Sequence, residues 1–189
     1  MLNIHPKAII DPQAKIHNSS IISAYVVILG KVKIHENCHI GEFTKIGSLP
    51  VVDNKINKTI INDVEIKKGS VIGSNVVIQA GATKTTKIGR NCRINHNSSI
   101  GHDVEIGDDC FIGLNNSISG YSKIGNNVKS GPGCTFNNRS SVGNNSVIGI
   151  GSLVLHPIQD NQVVIGRPAI DIKIAKKNKA KYMNLINEN

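Results

Sequence analysis

Isoleucine returns every sixth residue along most of this chain. Ile4, Ile10, Ile16, Ile22, Ile28, Ile34, Ile40 and Ile46 form one unbroken ladder, and Ile60, Ile66, Ile72 and Ile78 form a second. A third runs from Ile88 through Ile94, Ile100, Ile106, Ile112, Ile118 and Ile124 to Phe136, Val142, Ile148 and Val154, broken only at Ser130. An α-helix turns its faces every ~3.6 residues, so a six-residue metre excludes it. A hexad instead fits a short strand followed by a corner. Strand alternation places the ladder residue and the one two positions earlier on the same side. Those earlier slots hold small residues such as Val26, Val32, Cys38, Thr44, Val64, Val76, Cys92, Ser98, Val104 and Cys110, so the enclosed space is narrow. Glycine commonly follows the ladder residue. Asn, Asp or Gly commonly stands three positions after it, and these types tolerate left-handed backbone angles.

A longer period lies over the first. "IGRN", "IGDD", "IGNN" and "VGNN" begin at residues 88, 106, 124 and 142, so three hexads close one turn of a triangular prism. The ladders are separated by a step of 14 residues from Ile46 to Ile60 and of 10 from Ile78 to Ile88. Read as two hexads plus two residues and two hexads minus two, these steps put "IHEN" (34) and "IGSN" (72) in the same corner column. About 26 hexads between residues 4 and 159 then give somewhat under nine turns, a prism ~40 Å long at ~4.8 Å per turn. The segment 47–59, "GSLPVVDNKINKT", is expected to leave the prism as a loop. Residues 1–169 form the repeat domain and 170–189 a basic tail, with a short helix expected in part of 172–187.

Composition narrows the class. Tryptophan is absent and aromatics are 3% of residues, which implies a thin aliphatic core. The net charge is +9, but the cations are not interleaved with aromatics and no nucleic-acid motif appears, which argues against a nucleic-acid partner. Five lysines gather in "KIAKKNKAK" (173–181), either as a solvated helix face or to attract a phosphate-bearing small ligand. The four cysteines form no CxxC pair. All occupy the small inward slot, as structural thiols in a reducing compartment. No run of eighteen apolar residues appears, and the N-terminus lacks a signal-peptide core. The expectation is a cytoplasmic protein with no membrane partner.

One corner carries unusual chemistry. In "SSIGHDVEIGDDC" (98–110) a His-Asp pair, His102 and Asp103, stands where other hexads have bland polar residues. His96 occupies the equivalent slot one corner earlier, and His5, His17 and His35 read as exposed corner residues. His102 and Gly120 are eighteen residues apart, hence one turn apart and ~5 Å between backbones. An imidazole titrates near neutrality and suits general-base work. A backbone N–H on the next turn is rigid enough to receive an oxyanion.

The hexads with Gly-Asn corners resemble the left-handed parallel β-helix of bacterial hexapeptide-repeat acyltransferases, from Ile4 to about Ala169. The all-β class with a short C-terminal helix follows. The left hand is implied by the resemblance, since the general crossover rule favours the right. "INHNSSIGHDVEIGDDCFIGLNNSISG" (94–120) is similar to the active-site region of lipid A pathway acyltransferases and of sialic-acid and bacillosamine-type sugar acetyltransferases. In those families the histidine of an "[AG]HD" or "HE" motif is the general base. The resemblance implies that role for His102, with Asp103 as its acidic neighbour. A glycine eighteen residues on donates its N–H to the thioester carbonyl, which implies Gly120. "VVIGRPA" (163–169) resembles the "GNPA" ending of small coenzyme A-dependent members.

The resemblance therefore implies acetyl-coenzyme A as donor. Gly120, Asn138, His156 and Arg167 are the candidate donor-binding residues; His96, Lys55 and Lys58 are the candidates for the acceptor. It implies a homotrimer with clefts between subunits, and no metal. The chain departs from the lipid A enzymes in having only about twenty residues after the repeat, where they carry a helical region for an acyl carrier protein. It departs from bacillosamine-type enzymes in starting directly in the repeat and in placing Phe111 where they have a second histidine. The expected activity is N-acetylation of a nucleotide-linked amino sugar for surface polysaccharide. A sugar O-acetyltransferase and a lipid A type UDP-sugar acyltransferase are the near alternatives. From another class, γ-type carbonic anhydrases share the prism, but His96 and His102 have five residues between them where that resemblance asks for four. An ice-binding solenoid would need rows of Thr-x-Thr, and "TKTT" (83–86) is the one threonine cluster.

Overall fold

The computed structural model describes residues 3–50 and 63–178. Strands of two to four residues stack turn on turn into three sheets of ten, eight and seven strands, one for each face of a triangular prism of about eight turns. Pairing is parallel and follows the eighteen-residue period: Ile94 faces Ile112, Ile100 faces Ile118, and Ile106 faces Ile124, on the first, second and third faces respectively. At the C-terminal end, Ile170–Asp171 folds back antiparallel on Val163–Ile165. A helical turn over 172–178 follows, its start capped by Asp171, which accepts the Lys173 N–H at 2.7 Å. No helix among the described residues is long and apolar enough to cross a membrane.

The core is a column of ladder residues. Ile28, Ile40, Ile46, Ile66, Ile78, Ile88 and Ile112 are fully buried, with Phe136 the one aromatic among the largest buried side chains. Each such isoleucine contributes about 1.5–3 kcal/mol through removal from water. Small inward residues fill the corners, among them the four cysteines, all free and buried. Ser130 interrupts the apolar column without leaving its hydroxyl unpaired, since it accepts the Gly113 N–H at 3.3 Å.

The corners work by two devices. Three residues after most ladder positions from Ile34 onward the backbone turns left-handed, with φ of 54° at Asn91, 58° at Asp109, 53° at Asn127 and 57° at Asn145. The glycine directly after the ladder residue has a different purpose from the one its composition suggests. At Gly89 a Cβ would stand 2.3 Å from the Gly107 carbonyl oxygen. It is there so that successive turns can approach, not to reach a left-handed angle.

Both interruptions depart from the expected count. Ile34 pairs with Ile66, whereas Ile72 lies between Ile40 and Ile94 on the first face. "IGSN" (72) therefore does not share a column with "IHEN" (34). Each interruption advances the chain by a single face, Ile46 to Ile66 and Ile78 to Ile88. A ladder side chain must stack on a ladder side chain for the core to close, so each step adds one face where the residue count suggested more. That is why the prism has about eight turns and not nearly nine. Residues 51–62 lie outside the described residues. They include Ile60, the acceptor candidates Lys55 and Lys58, and most of the expected 47–59 loop.

Candidate active site

The second corner, between the second and third faces, carries His102. Ile100 ends a strand in the core and Gly101 follows. A Cβ on Gly101 would stand 2.6 Å from the Gly120 nitrogen of the next turn, so glycine keeps that N–H uncovered. The His102 side chain is only 13% exposed, less than its corner slot suggests. Its backbone N–H donates to Gln79 Oε1 at 3.2 Å, and its Nδ1 lies 2.7 Å from Asp103 Oδ2. A carboxylate only accepts hydrogen bonds, so Nδ1 carries a proton, and in the neutral imidazole Nε2 is then the nitrogen with the free lone pair. That nitrogen overhangs Gly120, where a Cβ would come within 2.7 Å of it.

Asp103 is both corner residue and orienting group. Its φ is +58°, the same as at Asp109, yet it is fully buried. Oδ2 also accepts the Ala82 N–H at 3.0 Å, and Oδ1 accepts the N–H and the hydroxyl of Thr83, each at 2.8 Å, together with the Lys84 N–H. Asp103 donates its own N–H to Thr86 Oγ1 at 3.0 Å. Burial alone would raise this carboxyl. The hydrogen bonds from His102, from the Thr83 and Lys84 N–H groups and from the Thr83 hydroxyl outweigh that and hold it below the usual carboxylate value. The group stays ionised and fixes the imidazole.

Segment 79–86 supplies this cradle, and sequence reasoning missed it. "TKTT" is no fragment of an ice-binding row; Thr83 and Thr86 both bond Asp103. The available signal was the ten-residue step from Ile78 to Ile88, whose extra residues sit one turn before His102. Tyr121 was missed as well. Its ring meets the imidazole edge-on, with centroids 4.8 Å apart.

Gly120 stacks one turn beyond His102, as the shared register of Ile100 and Ile118 requires. Its neighbours are tied, Ser119 N–H to the Phe136 carbonyl and Tyr121 N–H to the His102 carbonyl. Among the described residues the Gly120 N–H itself meets no acceptor, although the residue is buried. A buried donor without a partner demands an explanation.

The other candidates are spread out. Asn138 and His156 share the His102 column, two and three turns on, and both are exposed. Arg167 instead bonds the Gly151 carbonyl at 3.4 Å, at the corner that precedes the second face. His96 belongs to the corner after the first face. It is exposed there, and its Nδ1 accepts the Ser74 N–H at 2.8 Å, a structural cap. Phe111 projects outward from the first face, 46% exposed, away from the His102 corner.

Comparison with known proteins agrees with this architecture. Residues 13–48 and 85–120 match the bacterial transferase hexapeptide family, described as six repeats, and the second block contains His102, Asp103 and Gly120. Among curated proteins, the bifunctional protein GlmU of Fervidobacterium nodosum is 26% identical over 93% of this chain and 44% of its own length. That of Lactobacillus johnsonii is 30% identical over 50% of this chain and 23% of its own. The chain thus spans less than half the length of these curated relatives. Among solved structures, UDP-N-acetylglucosamine O-acyltransferase from Moraxella catarrhalis superposes with a TM-score of 0.75 at 26% identity, covering 90% of this chain and 74% of that one. LpxA of Acinetobacter baumannii gives 0.76 at 25% identity, covering 93% and 77%.

Proposed function

We propose that this chain, a left-handed parallel β-helix of the hexapeptide-repeat family, is an acyltransferase that moves an acetyl group from acetyl-coenzyme A to the amine of a nucleotide-linked amino sugar. One observation carries the reading: an Asp-oriented imidazole whose Nε2 overhangs Gly120, a residue whose N–H meets no acceptor among the described residues.

In this reading His102 Nε2 takes a proton from the amine as its nitrogen bonds to the thioester carbon. General-base help of this kind is worth about 10²–10⁴ in rate. The carbonyl oxygen becomes an oxyanion and receives the Gly120 N–H, a contribution of about 10²–10³ for one preplaced donor. Asp103, through Nδ1, stabilises the imidazolium that forms. Collapse of the adduct breaks the carbon–sulfur bond, and the imidazolium returns its proton to the departing thiolate. Amide and free thiol result, and the base is regenerated.

The nucleotide-sugar acceptor is supported by the Moraxella catarrhalis protein, whose substrate is UDP-N-acetylglucosamine. Asn138 and His156, in the His102 column, are assigned to the donor groove, Arg167 to the donor from the corner before the second face, and His96 with Lys55 and Lys58 to the acceptor. The working form is a cytoplasmic homotrimer, because a single prism offers shallow faces while three-fold packing makes three equivalent clefts. Its mass in solution checks this, and a monomer at micromolar concentration would count against it. A second reading, acyl transfer to a sugar hydroxyl, is favoured by the O-acyltransferase name of that same relative and uses the same proton path.

The test is thiol release from acetyl-coenzyme A with a panel of UDP-linked amino sugars and with UDP-N-acetylglucosamine, products identified by mass. Release that requires the amine supports the first reading. Release with the hydroxyl acceptor alone moves the assignment to the second. No release with any member of the panel overturns both.

A further inference from the structure

A second feature of the His102 corner is left unused by that chemistry. The left-handed positions of this fold are filled mainly by Asn, Asp and Gly, and the bulky exceptions among the described residues come in two stacked pairs: Tyr25 with Phe43, both at φ +60° at the corner after the first face, and Tyr121 with Arg139, both at φ +62° on successive turns beside the imidazole. Bulky side chains are sterically unfavoured in that conformation. Residues held there against preference gather where a ligand is handled.

The side chains of Tyr121 and Arg139 form a column with His102. The Tyr121 ring meets the imidazole edge-on at 4.8 Å, and the Arg139 guanidinium lies over the Tyr121 ring at 4.7 Å from its centroid. Backbone pairing fixes the spacing: Tyr121 N–H donates to the His102 carbonyl, and Arg139 N–H to the Gly120 carbonyl, each at 3.0 Å. A guanidinium stacked through its face keeps its N–H edges free, and those edges match a phosphate in paired fashion. Among the described residues Arg139 joins no salt bridge and donates no side-chain hydrogen bond. An exposed, preoriented cation two turns from the base has no protein carboxylate to serve.

Resting on the acyl-transfer reading of this corner, we infer that Arg139, steadied by Tyr121, binds a diphosphate group of one of the two substrates. Both the nucleotide sugar and coenzyme A carry such a group, so the chemistry is shared and experiment must name the source.

Arg139→Asn is the informative variant, because asparagine adopts the left-handed angle comfortably and the fold should hold. Binding of UDP and of coenzyme A is measured by calorimetry on wild type, Arg139→Asn and Arg139→Lys, with melting temperature alongside. The expected result is a tenfold or greater loss of affinity for UDP, for coenzyme A or for both in Arg139→Asn. Lysine should recover only part of that loss, since it keeps the charge without the fork, and melting should be unchanged or raised. The diphosphate that weakens identifies the source. Affinities for both within twofold of wild type in Arg139→Asn, or no binding of either by the wild-type protein, would overturn the inference. These readouts need no turnover, so failure of the acyl-transfer assay and failure of the diphosphate site are separate results.

Discussion

Two corners of the same prism use the same slot for opposite ends. At the third corner the residue two positions after the ladder caps the equivalent N–H of the turn before. Asp108 Oδ1 accepts from Arg90 at 2.7 Å, Asn126 from Asp108 at 2.8 Å, Asn144 from Asn126 at 2.8 Å, and Asp160 from Asn144 at 2.7 Å. The result is a self-satisfied rail of side chain to backbone bonds along the axis. At the second corner that slot holds His102, then Gly120, Asn138 and His156, and the chain of caps stops. The His102 N–H finds Gln79, but the Gly120 N–H finds no acceptor among the described residues. The fold supplies the turn equally in both places. Whether a slot closes on itself or remains open for chemistry depends on one side chain per turn.

The largest effect should come from removing the imidazole. His102→Ala is expected to lower kcat by about 10²–10⁴ while donor binding by calorimetry stays near wild type. His96→Ala, in the same slot one corner away, should leave kcat near wild type and act, where it acts, on the acceptor KM. Equal losses in both variants would erase the distinction between corners. Next comes Asp103→Asn, which keeps the shape but lets the amide face Nδ1 with the wrong polarity. A loss up to about 10⁴ in kcat is the precedent for an orienting carboxylate. Stability should fall as well, since three backbone N–H groups now point at a neutral acceptor.

The acid limb sharpens the same point. The Asp103 carboxyl is held below its ordinary value of 3.8. Its contribution to stability is therefore present above that pH and is lost as pH falls through the lower folded value. Acid melting of Asp103→Asn should be flatter than that of wild type below about pH 4. Parallel curves would show the carboxylate to be energetically idle.

Gly120→Ala ranks third. A Cβ there would lie 2.7 Å from Nε2 and 2.9 Å from Cε1 of His102, so the ring must move. A decrease of about 10² in kcat follows if placement of the imidazole over this N–H matters. Full activity would exclude the pair. The smallest effect is expected at the third corner: Asn126→Ala removes the cap on the Asp108 N–H at an exposed site. It should lower stability by about 0.5–1.5 kcal/mol with kcat untouched.

The ladder made the prism legible before any coordinates, because a six-residue metre has few physical solutions. The eighteen-residue spacing likewise put His102 and Gly120 on adjacent turns, where the register of Ile100 with Ile118 places them. What stayed hidden lay where the metre fails. The phase across both interruptions differs from the count, since a count of residues does not say how many faces they add. The Asp103 cradle was invisible for the same reason. Its donors are mostly backbone N–H groups of Ala82, Thr83 and Lys84, which carry no signature in sequence and meet the carboxylate only because an irregular segment folds over it. The corner glycines illustrate a subtler gap: composition located them, while the clash that requires them depends on the adjacent turn.

The buried cysteines have a practical consequence. Cys38, Cys92, Cys110 and Cys134 are native thiols placed at separate heights along the axis, and burial pushes those of Cys38 and Cys134 above the ordinary thiol value. None can react with a solvent-borne reagent until its own turn opens. In a quasi-linear stack, opening can begin at an end and spread. Labelling each sulfur over time, with the position read by mass spectrometry, therefore makes the chain its own ruler of unravelling. Simultaneous labelling would mean that the prism melts as one unit, and labelling in order of height would reveal from which end it comes apart.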